Sequence, residues 1–487
     1  MSSYFLKSRR VKLSHKRLAD QVATDDDLLQ HTQRIAQQPF SAVLLSGGSL
    51  HSGSENRYSL AAWDPFLVFE SKGTSCTIRT PADEVSWVHD PLQVMDQIAA
   101  AFQPDFEMIV PPFCGGAIGY FAYDLKNAIE RLPQSAEDDL HLPDIFLFWP
   151  RQVLIFDRVL KRLDLLAFDY GDEGGHGSSA APFAPKGTDI AGPFRLGALA
   201  SNFSHSEYLR AVGRVRQYIR EGDVYQVNLS QRYRFPFAGD SFQLWRSLFE
   251  LNPAPFYAYL QAGSHQVLST SMERFLFRQG PYIETRPIKG TRKRGKNPKE
   301  DAALSRELLE SIKDDAELSM IVDLLRNDLG RVCLPRTIRV AEHKRLESYQ
   351  NVHHLVSIVI GRLSEDVRYG DLLRATFPGG SITGCPKIRS MEIIDELEPN
   401  VRHIYTGSIG YLGWHQNMDL NIAIRTALIK DETCYFSVGG GIVYDSDEED
   451  EYQETLHKGR TLFQVIERIG ESSAWPNPSA VPTHSCG

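Results

Sequence analysis

Short apolar runs, each cut off by glycine, proline or polar residues, recur through the first 170 residues and commit this part of the chain to sheet. The runs at 40–45, 58–63, 65–69, 146–149, 152–157 and 163–168 read as strands of a meander, the first of them ended by Ser46-Gly47-Gly48. Before residue 36 the sequence is polar and mixed in charge, and no buried element is read there. Cys114-Gly115-Gly116-Ala117-Ile118-Gly119-Tyr120-Phe121 sets three glycines among apolar residues, the pattern of a strand that another backbone approaches closely. A phosphate cradle is the alternative, although these glycines match neither a P-loop nor a dinucleotide-binding fingerprint.

Glycine, serine, alanine and proline dominate from Gly171 to about Pro193, which marks a flexible connection. The expected organisation is therefore a strand-rich region over 1–170, a flexible connection over 171–200, a chemistry-bearing domain over 201–470 and a disordered Ser/Pro-rich tail over 471–487. A chain of 487 residues with 42% hydrophobic and 24% charged residues has ample material for a large core. Its net charge of −9 argues against a general nucleic-acid or membrane-surface binder. No apolar h-region follows the basic N-terminus and no apolar run approaches the ~20 residues of a membrane span. The cysteines (Cys76, Cys114, Cys333, Cys385, Cys434, Cys486) are scattered without C-x-x-C pairs, so neither a disulfide framework nor a zinc site is expected, and a reducing cytoplasm fits them.

Chemistry-bearing segments begin after the connection. Ser204-His205-Ser206-Glu207 resembles a capping box, with Tyr208, Val212, Val215 and Ile219 at helical spacing behind it. In the strand that follows, Tyr225, Val227 and Leu229 alternate with Gln226, Asn228 and Ser230; an ordinary surface strand shows the same alternation. In Glu284-Thr285-Arg286-Pro287-Ile288-Lys289-Gly290-Thr291 a lysine sits between a proline-stiffened segment and a glycine turn, with Arg286, Arg292, Lys293 and Arg294 nearby. Such a lysine is either a constrained nucleophile, pushed toward its neutral form by the neighbouring cations, or one more solvated surface charge. Glu273 lies between two strand-like pieces shortly before it.

Asn297-Pro298 opens a helix and Asp314 the next, on which Glu317, Ile321, Leu324 and Asp328 share a face. Glu317 also completes an Asp314-x-x-Glu317 capping box, its plainer reading. Gly379-Gly380-Ser381-Ile382-Thr383-Gly384-Cys385-Pro386-Lys387 leads into a helix and offers backbone N–H groups to an anion, with Thr383 and Lys387 as reinforcement; a flexible loop is the other reading. Residues 420–428 read as one apolar strand carrying Arg425, which needs an anionic partner if buried. The Gly439-Gly440-Gly441 strand precedes an acidic run in which Glu451 and Glu454 share the face of a starting helix, a pairing suited to a hard cation such as Mg²⁺.

Taken together, Gly222-Asp223-Val224-Tyr225-Gln226-Val227-Asn228-Leu229-Ser230, Ser271-Met272-Glu273-Arg274-Phe275, Arg286-Pro287-Ile288-Lys289-Gly290-Thr291, the 320–330 segment, Gly380-Ser381-Ile382-Thr383-Gly384-Cys385-Pro386-Lys387 and Glu451-Tyr452-Gln453-Glu454-Thr455 resemble the chorismate-utilising enzymes. The resemblance runs in order through residues 204–465, and residues 15–170 resemble the N-terminal region of the aminating members. It implies an α+β fold, a large sandwich of two sheets to which both segments contribute strands.

Within that family, members that hydrate chorismate carry a lysine base where this chain has Gln226, so hydration is disfavoured. Anthranilate-forming members usually have a small residue in place of Lys289; a lysine there resembles the branch that makes 4-amino-4-deoxychorismate for 4-aminobenzoate and folate synthesis. The resemblance implies that Lys289 attacks C2 of chorismate while Glu273, as general acid, assists loss of the C4 hydroxyl, and that ammonia then attacks C4 and expels the lysine. It further implies Mg²⁺ held by Glu317 and Glu454 with support from Glu451. Tyr405, Arg425 and backbone N–H groups near Gly440 match positions that bind the enolpyruvyl carboxylate, Thr383 and Gly384 line the ring carboxylate, and Gln226, Thr291 and His354 complete the substrate-facing set. Leu44-Leu45-Ser46 and 252–256 lie where anthranilate synthases bind feedback tryptophan, but Ser46 replaces their acidic residue, which counts against such regulation.

No nucleophile-elbow cysteine with its partners is found, so ammonia is expected from a separate glutamine amidotransferase subunit, with free ammonium able to substitute. The alternatives are anthranilate formation and, from a different class, a non-catalytic scaffold using the 286–299 cluster as a polyanion patch.

Overall fold

The computed structural model describes residues 8–20, 25–47, 57–171, 195–251 and 253–469; the connection expected over 171–200 falls largely outside them, and the tail expected over 471–487 entirely so. Two long strands, Tyr58–Lys72 and Ile145–Asp157, pair antiparallel along their lengths and hinge the molecule. Sequence reading divides each into two runs. The structure carries each through as one strand whose register shifts between Pro65 and Leu67, where the proline removes a ladder donor.

On one side of this bulge the pair continues into a sheet running Arg162–Asp169, the two long strands, Ser41–Leu45, Phe256–Gln261, Gln266–Ser271, Thr426–Lys430, Thr433–Ile442 and Gln226–Ala238. On the other side it continues through Gly116–Phe121, Ser408–Gly413, Asn417–Asn421, Arg274–Gln279 and Tyr282–Arg286 to Val352–Arg362, which also pairs with Ile288–Lys293 and Arg339–Ser348. Both the first 170 residues and the later chain supply strands to each sheet, so the compositional boundary near residue 171 is not a boundary in space.

Alternation along the strands decides what each face buries. Leu60 and Ala62 point into the large core between the sheets, whereas Ala61 and Trp63 point outward, under the helices Asp25–Ala36 and Ser241–Leu251, with Phe156, Phe235 and Trp245. The helix Asp25–Ala36 and the strand Arg9–Ala19 both lie in the segment read as featureless. That strand hides in the sequence because most of its residues are polar and only Val11 is fully buried.

Gly119 is the close approach its sequence context suggests: a Cβ there would lie 1.9 Å from the carbonyl oxygen of Phe146 on the neighbouring strand. This makes the glycine cluster a packing device, not a phosphate cradle. No helix among the described residues is long and apolar enough to cross a membrane, and the cysteines among them are free thiols.

Candidate active site

The lysine strand Ile288–Lys293 pairs with Val352–Arg362 through a register shift between Lys289 and Thr291. Gly290 forms the bulge at φ +75°, and a Cβ on it would press on Leu308 and Asp314 of the overlying helices at 2.9 and 3.0 Å. The bulge aims Lys289, which is half-buried, at Gly441: a Cβ on that glycine would lie 3.4 Å from Lys289 Nζ and 2.3 Å from Gln226 Nε2.

The neighbouring cations do not act as the sequence suggests. Arg286 is paired with Glu284 at 2.5 Å, Arg292 with Glu307 at 2.8 Å and Asp314 at 3.2 Å, and Arg294 with Asp301 at 2.8 Å. Their fields are cancelled locally, which also disfavours a polyanion patch. The charges that share Lys289's surroundings are instead the carboxyls of Glu273 and Glu454.

Glu273 stands between the strands Gln266–Ser271 and Arg274–Gln279 and is buried. Its N–H donates to Ser271 Oγ at 3.2 Å, its carbonyl accepts from the N–H of Ile422 at 2.9 Å, and the Ser381 hydroxyl donates to its Oε1 at 2.6 Å. Burial pushes its pKa up to about 7, against the opposing pull of the Ser381 hydroxyl, the Lys289 ammonium and the N–H of Ile288. A carboxyl so placed carries a proton near neutrality and can give it to a leaving group.

The amide-bearing strand is no surface strand. Gln226, Asn228 and Ser230 are all buried, and Gln226 Oε1 and Asn228 Oδ1 have no hydrogen-bond partner among the described residues. Gln226 pairs with Cys385 and Val227 with Gly384, whose φ of +144° and approach to Gln226 O (2.1 Å from a would-be Cβ) require glycine. Thr383 is wholly buried, and its hydroxyl turns back to donate to Gly379 O at 3.1 Å. Lys387, expected to reinforce an anion site, is bound by Asp328 at 2.6 Å and by Thr376 O at 3.0 Å.

Arg425 does not sit within a strand: the chain breaks between Asn417–Asn421 and Thr426–Lys430, and Arg425 occupies the break at φ +53°. Its guanidinium has no hydrogen bond or ion pair among the described residues, and burial lowers its pKa against the fields of Tyr405, Glu454 and Tyr257. Burial likewise pushes the Tyr405 phenol up to about 12, against the pull of Arg402 and Arg425. His354 lies opposite Thr291 in the ladder, its Nδ1 2.9 Å from the Thr291 hydroxyl. Its buried Nε2 has no partner among the described residues, and burial together with Arg425 pulls its pKa down to about 4, so the ring is neutral at pH 7.

Gly440 faces the other way from Gly441. A Cβ on it would lie 3.0 Å from Glu451 Oε2 and 3.7 Å from Glu454 Oε1, both on the C-terminal helix Glu448–Ile469. Glu451 accepts from the Ser446 hydroxyl at 2.6 Å, while burial and the nearby Glu454 raise its pKa. Glu454 is half exposed; desolvation by the groups packed around it opposes its charge, but Lys458 at 2.5 Å, with Lys289 and Lys313, outweighs this and holds the pKa below the usual range.

Glu317 is not an N-terminal capping residue. The helix is Ile312–Gly330, Ser311 is its cap and accepts from the N–H of Asp314 at 3.2 Å, and Glu317 lies beyond the first turn. Lys313, one turn earlier on the same face, acts on both Glu451 and Glu454. The structure does not gather Glu317 with the other two: among the described residues no three His, Cys, Asp or Glu side chains form a metal-holding group.

Two sheets of this pairing, a buried acid, a lysine and an unpartnered arginine around one glycine-rich strand are accompanied by a match over residues 49–464 to the model of the chorismate binding enzymes. The chain belongs to the chorismate binding enzyme family. It is 41% identical over 434 residues to aminodeoxychorismate synthase component 1 of Salmonella typhimurium, covering 88% of this chain and 93% of that one. It is 36% identical over 484 residues to anthranilate synthase component 1 of Cereibacter sphaeroides, covering 95% of this chain and 96% of the relative. The solved structure of anthranilate synthase component I from Streptococcus pneumoniae matches with a TM-score of 0.74 at 31% identity, over 85% of this chain and 93% of that chain. The expected α+β class is the one observed.

In this chorismate binding enzyme, sequence reasoning gave no role to Ser381, Lys313, Lys458 or Asn228. Ser381 lies inside a quoted motif but carried no role, because only the fold brings it to Glu273. Lys458 was legible as a partner at four-residue spacing from Glu454, whereas Lys313 acts on Glu451 and Glu454 across elements that only the fold brings together. A separate cavity of about 390 Å³ is lined by Leu44, Leu45, Ser46, Pro255 and Phe256, the segments that resemble the tryptophan site of anthranilate synthases, together with the ion-paired Arg274 and Asp419; Asn252 lies outside the described residues.

Proposed function

We propose that this family member converts chorismate and ammonia to 4-amino-4-deoxychorismate. The observation that carries the reading is the convergence of Lys289 and the non-basic Gln226 on Gly441, with the acid Glu273 near neutrality beside them. In this reading the Lys289 amine forms a bond to C2 of chorismate as the ring double bond shifts and the C4–O bond breaks. Glu273 gives its proton to the departing hydroxyl, which leaves as water. Ammonia then forms a bond to C4 as the double bond returns and the C2–N bond to Lys289 breaks, and Glu273 recovers a proton. Neutral His354 and unpartnered Arg425 offer directed donors to the substrate's carboxylate and hydroxyl groups, and Gln226 cannot serve as the base that water addition needs.

The carboxylates of Glu451, which is buried, and Glu454, which is half exposed, suit a hard cation, and Glu317, which the structure does not gather with them, is the third acid the family resemblance implies; we assign Mg²⁺ to these residues. Bound there, Mg²⁺ would neutralise the ring carboxylate and draw negative charge from the reacting ring. The relatives' designation as component 1 supports a second component, which we take to be a glutamine amidotransferase subunit supplying ammonia in the cytoplasm.

Incubation of the purified chain with chorismate, Mg²⁺ and ammonium, followed by mass identification of the product, tests the reading. 4-Amino-4-deoxychorismate with pyruvate retained is expected. Anthranilate with released pyruvate as the main product would establish the other aminating reaction instead.

A further inference from the structure

The chorismate-facing groups come from segments far apart in sequence, and one buried side chain outside that set touches several of them. Arg402 lies in the loop after the helix Lys387–Leu397, with its side chain 2% exposed. Its Nε and one terminal nitrogen grip Glu398 at 2.9 and 2.7 Å. That terminal nitrogen also donates to the carbonyl of Asn228 at 2.5 Å, and the other donates to the carbonyl of Ile382 at 3.1 Å and to Thr406 Oγ1 at 3.3 Å. A guanidinium has five N–H donors, and five acceptor contacts are made, so its plane is fully determined. Glu398 is equally committed, since its Oε1 also accepts from the N–H and hydroxyl of Ser230 at 2.8 and 2.9 Å.

We infer that Arg402 is a positioning residue that locks the turn at 380–384, the strand bearing Gln226 and the turn bearing Tyr405 into one arrangement, and that it acts on Glu273 through Ser381. Ile382, whose carbonyl it holds, is the neighbour of the serine that donates to Glu273. Thr406, which it also holds, follows Tyr405 and donates from its N–H to Ala423 O at 2.9 Å, two residues before Arg425. The guanidinium further lies 4.8 Å from the centre of the Tyr123 ring and 5.9 Å from that of Tyr405.

A buried ion pair adds little net stability over a well-packed apolar pair. What this one adds is geometry: two main-chain carbonyls and a hydroxyl on three substrate-facing segments are bound to a single rigid plane. Lysine, with a point charge and no fork, cannot reproduce it. The charged group acting on Glu273 is Lys289; otherwise the carboxyl meets the Ser381 hydroxyl and the N–H of Ile288. Loosening the Ser381 contact therefore moves the Glu273 titration upward, because that hydrogen bond favours the charged form.

The inference rests on the proposed amination, and its test is the pH profile of kcat/KM with ammonium for the wild type, Arg402→Lys, Ser381→Ala and the double variant, alongside thermal unfolding. Arg402→Lys is expected to lower kcat/KM by about 10-fold to 100-fold and to move the Glu273 limb to higher pH, as Ser381→Ala does. The double variant should show no further movement of the limb. A folded Arg402→Lys with the wild-type limb, or limb shifts that add in the double variant, would overturn the inference. Should Arg402→Lys not fold, Glu398→Gln takes its place with the same expected shift, and a wild-type limb in that variant has the same consequence. A wild type that yields no aminated product would fail the functional reading, which is a separate outcome.

Discussion

The Ser381 hydroxyl reaches across from the glycine-rich turn to Glu273 Oε1 at 2.6 Å, yet burial still leaves that carboxyl at about 7 rather than the 4.5 of a free glutamate. Because the protonated form is the one that can assist a leaving hydroxyl, kcat/KM of the free enzyme should fall as pH rises through about 7. Glu273→Gln should lower kcat by about 10²-fold or more. The sign for stability is the same: a pKa raised by folding gives a contribution present below the unfolded value and lost as pH rises through the folded one. Glu273→Gln should therefore gain stability relative to the wild type between pH 5 and 8, on the order of 2 kcal/mol, read by denaturant melts at several pH values.

Lys289 offers a sharper test because its role is covalent. Lys289→Ala should remove any adduct of chorismate mass from the peptide containing residue 289 in quenched turnover, while wild-type enzyme shows it. An undiminished adduct in the alanine variant would refute the nucleophile assignment. Since no carboxylate among the described residues is ion-paired to Lys289, which is only half-buried, the variant should keep its melting temperature within a few degrees.

Arg425 sets function against stability. It is a half-buried arginine with no anion to pair with among the described residues, an arrangement that costs stability until an anion arrives. Arg425→Met should match or exceed the wild type in thermal stability and raise KM for chorismate by about 10-fold to 100-fold, the worth of a lost charge-assisted hydrogen bond. Chorismate itself should raise the melting temperature of the wild type more than that of the variant.

How far these groups were legible depends on the distance over which each is specified. Lys289, Glu273 and Gln226 were legible through the ordered set of motifs that resembles the family, since locally the lysine could equally be a surface charge and the glutamine part of a surface strand; the structure does bring the lysine and the glutamine together over Gly441. The pairing of Arg286, Arg292 and Arg294 was not legible, since Glu284, Asp314 and Asp301 meet them respectively only once the strands and the two helix starts are in place. Residues 420–428 looked like one strand because the break at Arg425 is made by a left-handed backbone that an apolar pattern does not encode. The strand Arg9–Ala19 was lost for the opposite reason, its burial being too slight to leave a pattern.

The proposed assignment of Mg²⁺ to Glu451 and Glu454 predicts metal dependence. Chelation should abolish amination and added Mg²⁺ restore it. Glu454→Ala should raise the Mg²⁺ concentration for half-maximal activity by about tenfold or more, and calorimetry on the free protein should show the matching loss of Mg²⁺ binding without substrate. Unchanged Mg²⁺ binding in that variant would move the cation elsewhere.

Two glycines separate what the fold needs from what the site needs. At Gly119 an added methyl meets main-chain atoms of Phe146 and Leu147 at 1.9 to 3.0 Å, and neither strand can yield without breaking the ladder that joins the sheets. At Gly441 the methyl meets side chains instead, Gln226 Nε2 at 2.3 Å and Lys289 Nζ at 3.4 Å, both of which can swing aside. Gly119→Ala should therefore destabilise the protein by about 3 kcal/mol or more, or prevent its folding. Gly441→Ala should fold, with a melting temperature within a few degrees of the wild type, and lose most of its activity because the displaced pair is the one that meets substrate. Equal melting temperatures for both variants, or full activity in Gly441→Ala, would contradict the placement of Lys289 and Gln226 on which the site is built.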